Sequence, residues 1–424
     1  MGSGPRASRT WSISPFLKQM HVLKTCKSFL YGLSFLVIST VRHLSRYHTL
    51  RRRLFQCFLL TLFLWSTVDV ILVRRHFGAE QTHLDYKPPE RQRIFISSLF
   101  QNYNRSLPNH WIETVVELAS VFGTDNIYVS ASESGSTDET KNSLRELDKA
   151  LDGAGVGRSI AFSDTSAQDE KSMTAASAAS RNPPYIPQLR NRALQPLYDL
   201  RDAGILFDRI LFLGDVVFTV DDVLSLLNTN YGTYTAACSF DILNRPSYPD
   251  TLALRDADGY EHVMQKWPFF RSSRSKDAIK SMLPIPVRSC WSGMVFMSTE
   301  AFYSTRPIRF RGVPEGLAAL HIEASECCLI HADNLLSTRR GVYLNPFVRV
   351  GHDAPSAARP TDDWLSTWRI FESLWENRLR RWFTFPSLEG WSLRRRVSSW
   401  EAQDDKNHES GDFCLIDQLQ PMAT

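Results

Sequence analysis

Twenty consecutive residues, Leu54–Val73 (LFQCFLLTLFLWSTVDVILV), contain no Lys or Arg and a single acid, Asp69. A helix of that length rises about 30 Å, the thickness of a bilayer's hydrocarbon core. Gln56 and Asp69 lie toward the ends of the block, where a polar group costs less than at the centre. Arg51, Arg52 and Arg53 precede it and Arg74 and Arg75 follow it. An earlier apolar stretch, Phe29–Val41, is short for a span and could belong to a cleaved signal or an organellar presequence. The longer block has no small-residue cleavage site, and a presequence has no need of it, so a signal anchor is expected.

Charge sets the orientation. Residues 1–53 hold ten Lys and Arg and no Asp or Glu, which leaves 39 basic against 45 acidic residues in the remainder. The basic head is expected on the cytoplasmic side and the body beyond the span in the lumen. A basic head on an acidic body does not fit nucleic-acid binding, which wants its basic residues on the folded domain. Of seven cysteines, five follow the span: Cys238, Cys290, Cys327, Cys328 and Cys414. They allow at most two bridges with one thiol left over, and their spacing does not fit a zinc site. Cys327 and Cys328, adjacent on a predicted helix, point in different directions and read as core.

Past the span the pattern becomes regular. Arg93–Phe100 reads as a strand, then a helix places Trp111, Val115, Leu118 and Phe122 on one face before Gly123. Asn126–Ser130 is a second strand. Ser136-Thr-Asp-Glu139 reads as a capping box opening a helix with Thr140, Leu144, Leu147 and Leu151 inward. Arg158–Phe162 is a third strand. Alternating strands and helices predict an α/β fold with a parallel sheet. Ser163–Asn182 reads as a polar functional or disordered loop, Leu189–Asp202 as a helix kinked by Pro196, and Arg209–Leu213 as a buried strand. Asp221 or Asp222 is expected to cap the next helix. Thr235–Ser239, Met294–Ser298 and Tyr343–Leu344 are further strands. Leu365, Trp368, Phe371, Trp375, Leu379 and Trp382 recur at steps of three or four, which predicts an amphipathic helix whose aromatic face packs on the domain. Residues 401–424 are polar and expected to be disordered.

The strand ends carry the chemistry. Gln101-Asn-Tyr-Asn-Arg105 follows the first strand and Ser132-Glu-Ser-Gly-Ser-Thr-Asp138 the second; Arg190-Asn191 precedes Phe212-Leu-Gly-Asp-Val-Val-Phe218. Nucleotides bind beyond the carboxyl ends of parallel strands. Glu133 and Asp138 stand there and could accept from a base or ribose. Asp215 offers a hard cation an oxygen ligand at a rigid strand end. A divalent cation stabilises a departing diphosphate as a Lewis acid, and Arg190 could share that charge through its planar fork. Their order resembles the inverting family-2 glycosyltransferases over about residues 91–240, which implies a GT-A-type nucleotide-sugar domain.

Five further segments sharpen the resemblance: Ala236–Asp241, Tyr248–Asp256, Val287–Gly293, Ser325–Asp333 and Leu344–Val350. With FDRILFLGDVVF they resemble the fungal capsule-associated α-1,3-mannosyltransferases, glycosyltransferase family 69, from Arg93 to Val350. The resemblance implies a single-pass type II Golgi membrane enzyme. Such an enzyme moves mannose from GDP-mannose to a mannosyl acceptor with retention, assisted by a metal such as Mn2+. It implies a GT-A-like sheet with helices on both faces behind one transmembrane helix.

Carried over by position, Asp215 is the metal residue. Arg255, Asp256, Trp291 and Gly293 line the donor and acceptor cleft, and Glu326 faces the acceptor. Asp256 and Glu326 are the catalytic candidates; Glu133, Asp138, Arg190, Arg255, Trp291 and Gly293 are the donor-binding ones. Trp291 suits a sugar face. His352 could add a metal ligand. The family usually has Asn at Gly214 and at Ser292, and Tyr before the Glu-Ser-Gly segment where Ala131-Ser132 stand here. Gly214 leaves one carboxylate where a pair is common, which keeps open a related transferase with another donor or linkage, or an inactive membrane-anchored partner of a mannan-synthesising complex. The expected organisation is a cytoplasmic tail (1–53), the anchor (54–73), a stem (74–92), the catalytic domain (93–355), a helical extension (356–400) and the tail (401–424). Asn104-Arg-Ser106 is an N-glycosylation sequon.

Overall fold

The computed structural model describes residues 48–77, 92–102, 110–162, 185–241, 252–261, 266–351, 366–383 and 386–418. The polar loop 163–182, Asn104 and His352 lie outside them. The chain divides into two units, 1–71 and 72–424. The described part of the first is a helix, α1 (His48–Phe77), which runs on into the second. Its segment Arg51–Arg75 is long and apolar enough to cross a membrane. Thr61, Ser66 and Thr67 each donate to the carbonyl four residues back at 2.8 Å, so their hydroxyls are satisfied within the helix.

The second unit is built on eleven strands among the described residues: β1 (Ile94–Phe100), β2 (Ile127–Glu133), β3 (Gly157–Ala161), β4 (Arg209–Leu213), β5 (Ala236–Asp241), β6 (Arg255–Asp256), β7 (Ile285–Ser289), β8 (Met294–Ser298), β9 (Ile322–Ala324), β10 (Val342–Val350) and β11 (Leu415–Asp417). Nine form one sheet in the order β3-β2-β1-β4-β8-β5-β10-β7-β6, and β9 pairs with β11. β3, β2, β1 and β4 are mutually parallel, as are β5 and β10; β8 runs antiparallel between β4 and β5.

Side-chain alternation assigns the two faces of the sheet. Ile94, Ile96 and Phe100, with Val129 and Leu211, form one core. Against it pack α2 (His110–Phe122), through Trp111, Val115 and Leu118; α3 (Thr140–Gly153), through Leu144, Leu147 and Leu151; and α6 (Val220–Leu227), through Val223 and Leu226. The opposite face meets α4 (Ile186–Ala193), where Ser130 Oγ donates to Ala193 O at 2.7 Å. A break at Leu194 separates α4 from α5 (Gln195–Asp202), whose first turn holds Pro196, as a proline at that position requires. The sheet therefore carries helices on both faces, as the GT-A reading expects.

Several local expectations change. The capping box does not form at Ser136–Glu139. Helix α3 begins at Thr140, and Asp138 Oδ1 accepts from Thr140 N at 3.0 Å, because Ser136 N is already taken by the Glu133 carboxylate. Thr219, not Asp221 or Asp222, caps α6; Asp222 completes a capping box from N3. Residues 401–418, expected to be disordered, are folded: β11 pairs with β9, and Cys414 is bonded to Cys328. Cys238 and Cys290 form the other bridge, and Cys327 is a buried free thiol. Cys328 is thus a crosslink and not simple core. Among the described residues Cys238, Cys290 and His331 come close enough to suggest a metal site, but both sulfurs are in the disulfide. Burial lowers the His331 pKa to about 4, and its Nε2 lies 2.8 Å from Cys290 O, so the ring is neutral.

Candidate active site at the end of the parallel strands

A cavity of about 270 Å³ opens where β1 and β4 end, lined by Ser97, Leu99, Arg190, Phe212, Leu213, Gly214, Asp215, Trp291, Gly293 and Val295. Asp215 follows β4 directly. Its turn is fixed from two sides: Gly214 N donates to Gly293 O at 2.7 Å, and the Trp111 indole donates to Gly214 O at 3.3 Å. Val217 N donates to Gly351 O at 2.8 Å, so the chain leading into His352 passes beside the Asp215 turn.

The Trp291 turn is held as firmly. Cys290, before it, is tied to β5 through Cys238. Ser239 donates its hydroxyl to Ser292 O and accepts from Met294 N at 3.0 Å. Gly293 has φ +63°, and a Cβ there would lie 2.5 Å from Val350 Cγ2 and 2.9 Å from Val216 Cγ1. Only glycine fits this conformation and this space. We expect Gly293→Ala to destabilise the fold by about 2 kcal/mol or more, from left-handed strain plus overpacking, read as a lower urea midpoint.

Arg190 occupies the cavity wall. Its Nε donates to Glu326 Oε1 at 3.0 Å, and its guanidinium carbon lies 4.8 Å from the Trp291 ring centroid and 5.7 Å from that of Phe310. Trp291, Phe212 and Phe310 form an aromatic trio with centroids 5.0–5.5 Å apart. Asn191 clasps the Phe310 backbone, donating to its carbonyl at 2.8 Å and accepting from its N–H at 3.0 Å. Burial opposes the Arg190 charge, but Cys327 and Glu326 outweigh it and hold the pKa above the usual arginine value. Glu326 opens helix α9 (Glu326–Ala332), capped by Ser325, and also accepts from Cys327 Sγ at 3.2 Å. It stands behind Arg190 and does not line the cavity.

Arg190, Asp215, Trp291 and Gly293 are therefore brought together, with Glu326 one contact away. Glu133 and Asp138 are not in the cavity lining. Glu133 accepts from Ser136 N and lies 3.8 Å from Lys141 Nζ, while Asp138 accepts from the backbone N–H of Thr140 at 3.0 Å. Asn102 stitches the β1 and β2 ends, accepting from Thr137 N at 2.9 Å. Arg255 and Asp256 are a correction: both are buried on the edge strand β6, away from the cavity. Arg255 donates to Phe413 O at 2.7 Å and to Leu254 O at 2.8 Å. Asp256 accepts from Tyr260, Ser272, Arg271 and Asp258 N–H groups, and burial pushes its carboxyl pKa up. Their residue types fit a cleft, but their bonds hold loops. Phe212 and Phe310 escaped the sequence reading. Strand alternation could have found Phe212, which faces the same side as Ile210; nothing local marks Phe310.

Among solved structures, this chain is 13% identical to S. aureus TarS 1–349 over 76% of its own length and 80% of the other, with TM-score 0.34. It is 11% identical to the mannosyltransferase PcManGT from Pyrobaculum calidifontis, solved with GDP-Man and Mn2+, over 82% and 96% (TM-score 0.35). It is 14% identical to GalNAc-T7, solved with UDP, GalNAc and Mn2+, over 62% and 44% (TM-score 0.37). No curated protein matches the chain. The family described as cryptococcal mannosyltransferase 1 matches residues 93–333, more than half of the sequence and all of the cavity lining. The chain belongs to the cryptococcal mannosyltransferase family.

Proposed function

We propose that this chain is a single-pass Golgi membrane glycosyltransferase with a lumenal catalytic domain. It transfers mannose from GDP-mannose to a mannosyl acceptor in α-1,3 linkage, with retention and with help from a divalent cation such as Mn2+. The observation that supports it most is the meeting of Arg190, Asp215, Trp291 and Gly293 in one cavity at the carboxyl ends of parallel strands.

The donor set fits a hard cation. Asp215 supplies a carboxylate at a rigid strand end, and a nucleoside diphosphate can supply further oxygens. His352, outside the described residues, is a further candidate ligand. When bound, the cation supplies Lewis-acid stabilisation of the leaving diphosphate. The chain's own residues do the rest. Arg190 keeps its charge through Glu326 and presents N–H donors to phosphate oxygens in a fixed plane. Trp291, braced by Phe212 and Phe310, offers an apolar ring to a hexose face. Glu326 orients Arg190, and a shift in α9 would reach the cavity through that bond.

A thermal-shift panel tests the donor. GDP-mannose with Mn2+ should raise Tm, by an amount that corresponds to about 2.7 kcal/mol at one hundred times Kd. UDP-sugars should not. Stabilisation by uridine nucleotides alone would demote mannose in favour of another donor. Stabilisation by none, with no turnover, would favour the inactive-partner reading.

A further inference from the structure

Helix α9 buries a histidine that the sugar-transfer reading does not use. His331 is 2% exposed, and its Nε2 lies 2.8 Å from Cys290 O. A carbonyl oxygen only accepts, so Nε2 carries the proton and Nδ1 keeps a bare lone pair. Nδ1 is buried without a hydrogen-bond partner. A native fold rarely leaves such a nitrogen unused. Burial lowers the imidazole pKa to about 4, so the ring stays neutral and its lone pair stays available.

Two further donors stand beside the ring. The sulfurs of Cys238 and Cys290 and a ring nitrogen of His331 all lie within 4.8 Å of one another. Both cysteines are fully buried, and Cys290 Sγ lies 3.9 Å from Tyr343 O. The sulfurs are bonded to each other. Opening that bond gives two thiols, and exchange of their protons for a divalent ion gives two thiolates beside a neutral imidazole. The charges then cancel, as a buried site requires. Thiolate and imidazole suit Zn2+ and ions like it, not the hard cation proposed for Asp215. The bond from Nε2 to a backbone carbonyl is the usual brace behind a metal-bound histidine, and it fixes ring and tautomer. The Cα atoms of the two cysteines are 6.2 Å apart, wide enough for sulfurs about 3.7 Å apart around one tetrahedral ion. Sequence spacing hides the group: the cysteines are 52 residues apart, and His331 lies 41 residues beyond Cys290.

We propose that reduction of the Cys238–Cys290 bridge opens a three-ligand site, made of Cys238, Cys290 and His331, for a thiophilic divalent cation such as Zn2+. A dithiol supplies the two electrons and two protons and is itself oxidised to a disulfide; the ion then displaces both thiol protons. Bridge and ion are alternatives for the same two sulfurs. The bridge ties β5 to the residue before Trp291, and the ion adds α9 to that junction. The site is independent of the sugar-transfer reading.

The test uses the full chain in detergent, reduced without oxygen by a phosphine, freed of excess reductant and titrated with Co2+. Thiolate charge-transfer and tetrahedral ligand-field bands report the ligands, and alkylation with mass spectrometry counts the thiols at 238 and 290. The reduced chain should bind Co2+ here, give it up to Zn2+, and lose the bands when the bridge is reoxidised. His331→Gln keeps the bridge and an N–H for Cys290 O but has no ring nitrogen, and it should weaken cobalt binding by at least about tenfold. Cys238→Ser should lose the same bands, and it keeps the test decisive if His331→Gln does not fold. Bands unchanged in either variant would assign the cobalt to other thiols, such as Cys328 and Cys414, and overturn the site. So would a chain with free thiols at 238 and 290 that binds no Co2+, equal binding by the oxidised chain, or a bridge that the phosphine cannot open in the folded protein.

Discussion

Asp215→Asn should lower kcat by about two to three orders of magnitude while leaving the unfolding midpoint close to that of the natural chain. The substitution keeps the shape of the side chain and removes its charge, at the one acidic position in the cavity lining. Many nucleotide-sugar enzymes place two carboxylates at this strand end. Here the neighbouring position is Gly214, whose backbone is committed to Gly293 and Trp111 and which has no side chain to offer. Under the proposed function, the cation and the diphosphate it stabilises would depend on Asp215 more heavily than in a paired site. The midpoint should hold, because the Asp215 turn is fixed by the backbone bonds of Gly214 and Val217. The measurement is initial rate against Mn2+ concentration for both forms, with an EDTA arm. Full activity of Asp215→Asn in excess EDTA would remove the metal from the reaction, and with it the reason for a carboxylate at this position.

Much of this site was legible because it is built from strand ends. The four parallel strands and the three helices over the first core follow from apolar spacing alone, and motif order then marks Arg190, Asp215 and Trp291. What the sequence could not show is which polar residues face the cavity. Arg255 and Asp256 carry the same chemistry as Arg190 and Asp215, but they sit on an edge strand where their charge is used to tie loops. Glu133 and Asp138 lie at the expected strand end and are occupied in forming its turn. The helix Thr367–Phe383 was only partly legible: Trp368 is 69% exposed and Leu379 46%, while Phe371 and Trp375 are largely covered. Periodicity reports that a helix has an apolar face, not what covers it, and the face that meets the domain carries Ser373 and Asn377 among its aliphatic residues. The C-terminal segment reads as a tail because its composition is polar, although Cys414, Phe413 and Leu415 supply a crosslink, backbone acceptors and a strand.

That segment is where the largest loss of stability is expected. Cys414→Ser should cost about 4 kcal/mol in urea unfolding, since the bridge to Cys328 closes a separation of 86 residues and long closures constrain the unfolded chain most. The damage should not stop at stability. Cys328 is on α9, two residues after Glu326, and the far end of that helix is held by Arg311, which bonds the C-cap Asp333 at 2.7 Å and Glu409 at 2.7 Å. Releasing the segment also takes away the Phe413 and Cys414 carbonyls that Arg255 uses, leaving a buried cation short of acceptors, which is costly. A looser α9 moves Glu326, and through it the plane of Arg190 against Trp291. Cys414→Ser should therefore raise KM for the donor in chains that are still folded. The Arg311→Lys variant, which keeps the bridge and weakens only the forked ion pairs, should lose less of both. Donor KM and urea midpoint measured on the two variants decide the matter: a Cys414→Ser chain with lowered midpoint and unaltered KM would reduce the C-terminal segment to a staple without influence on the site.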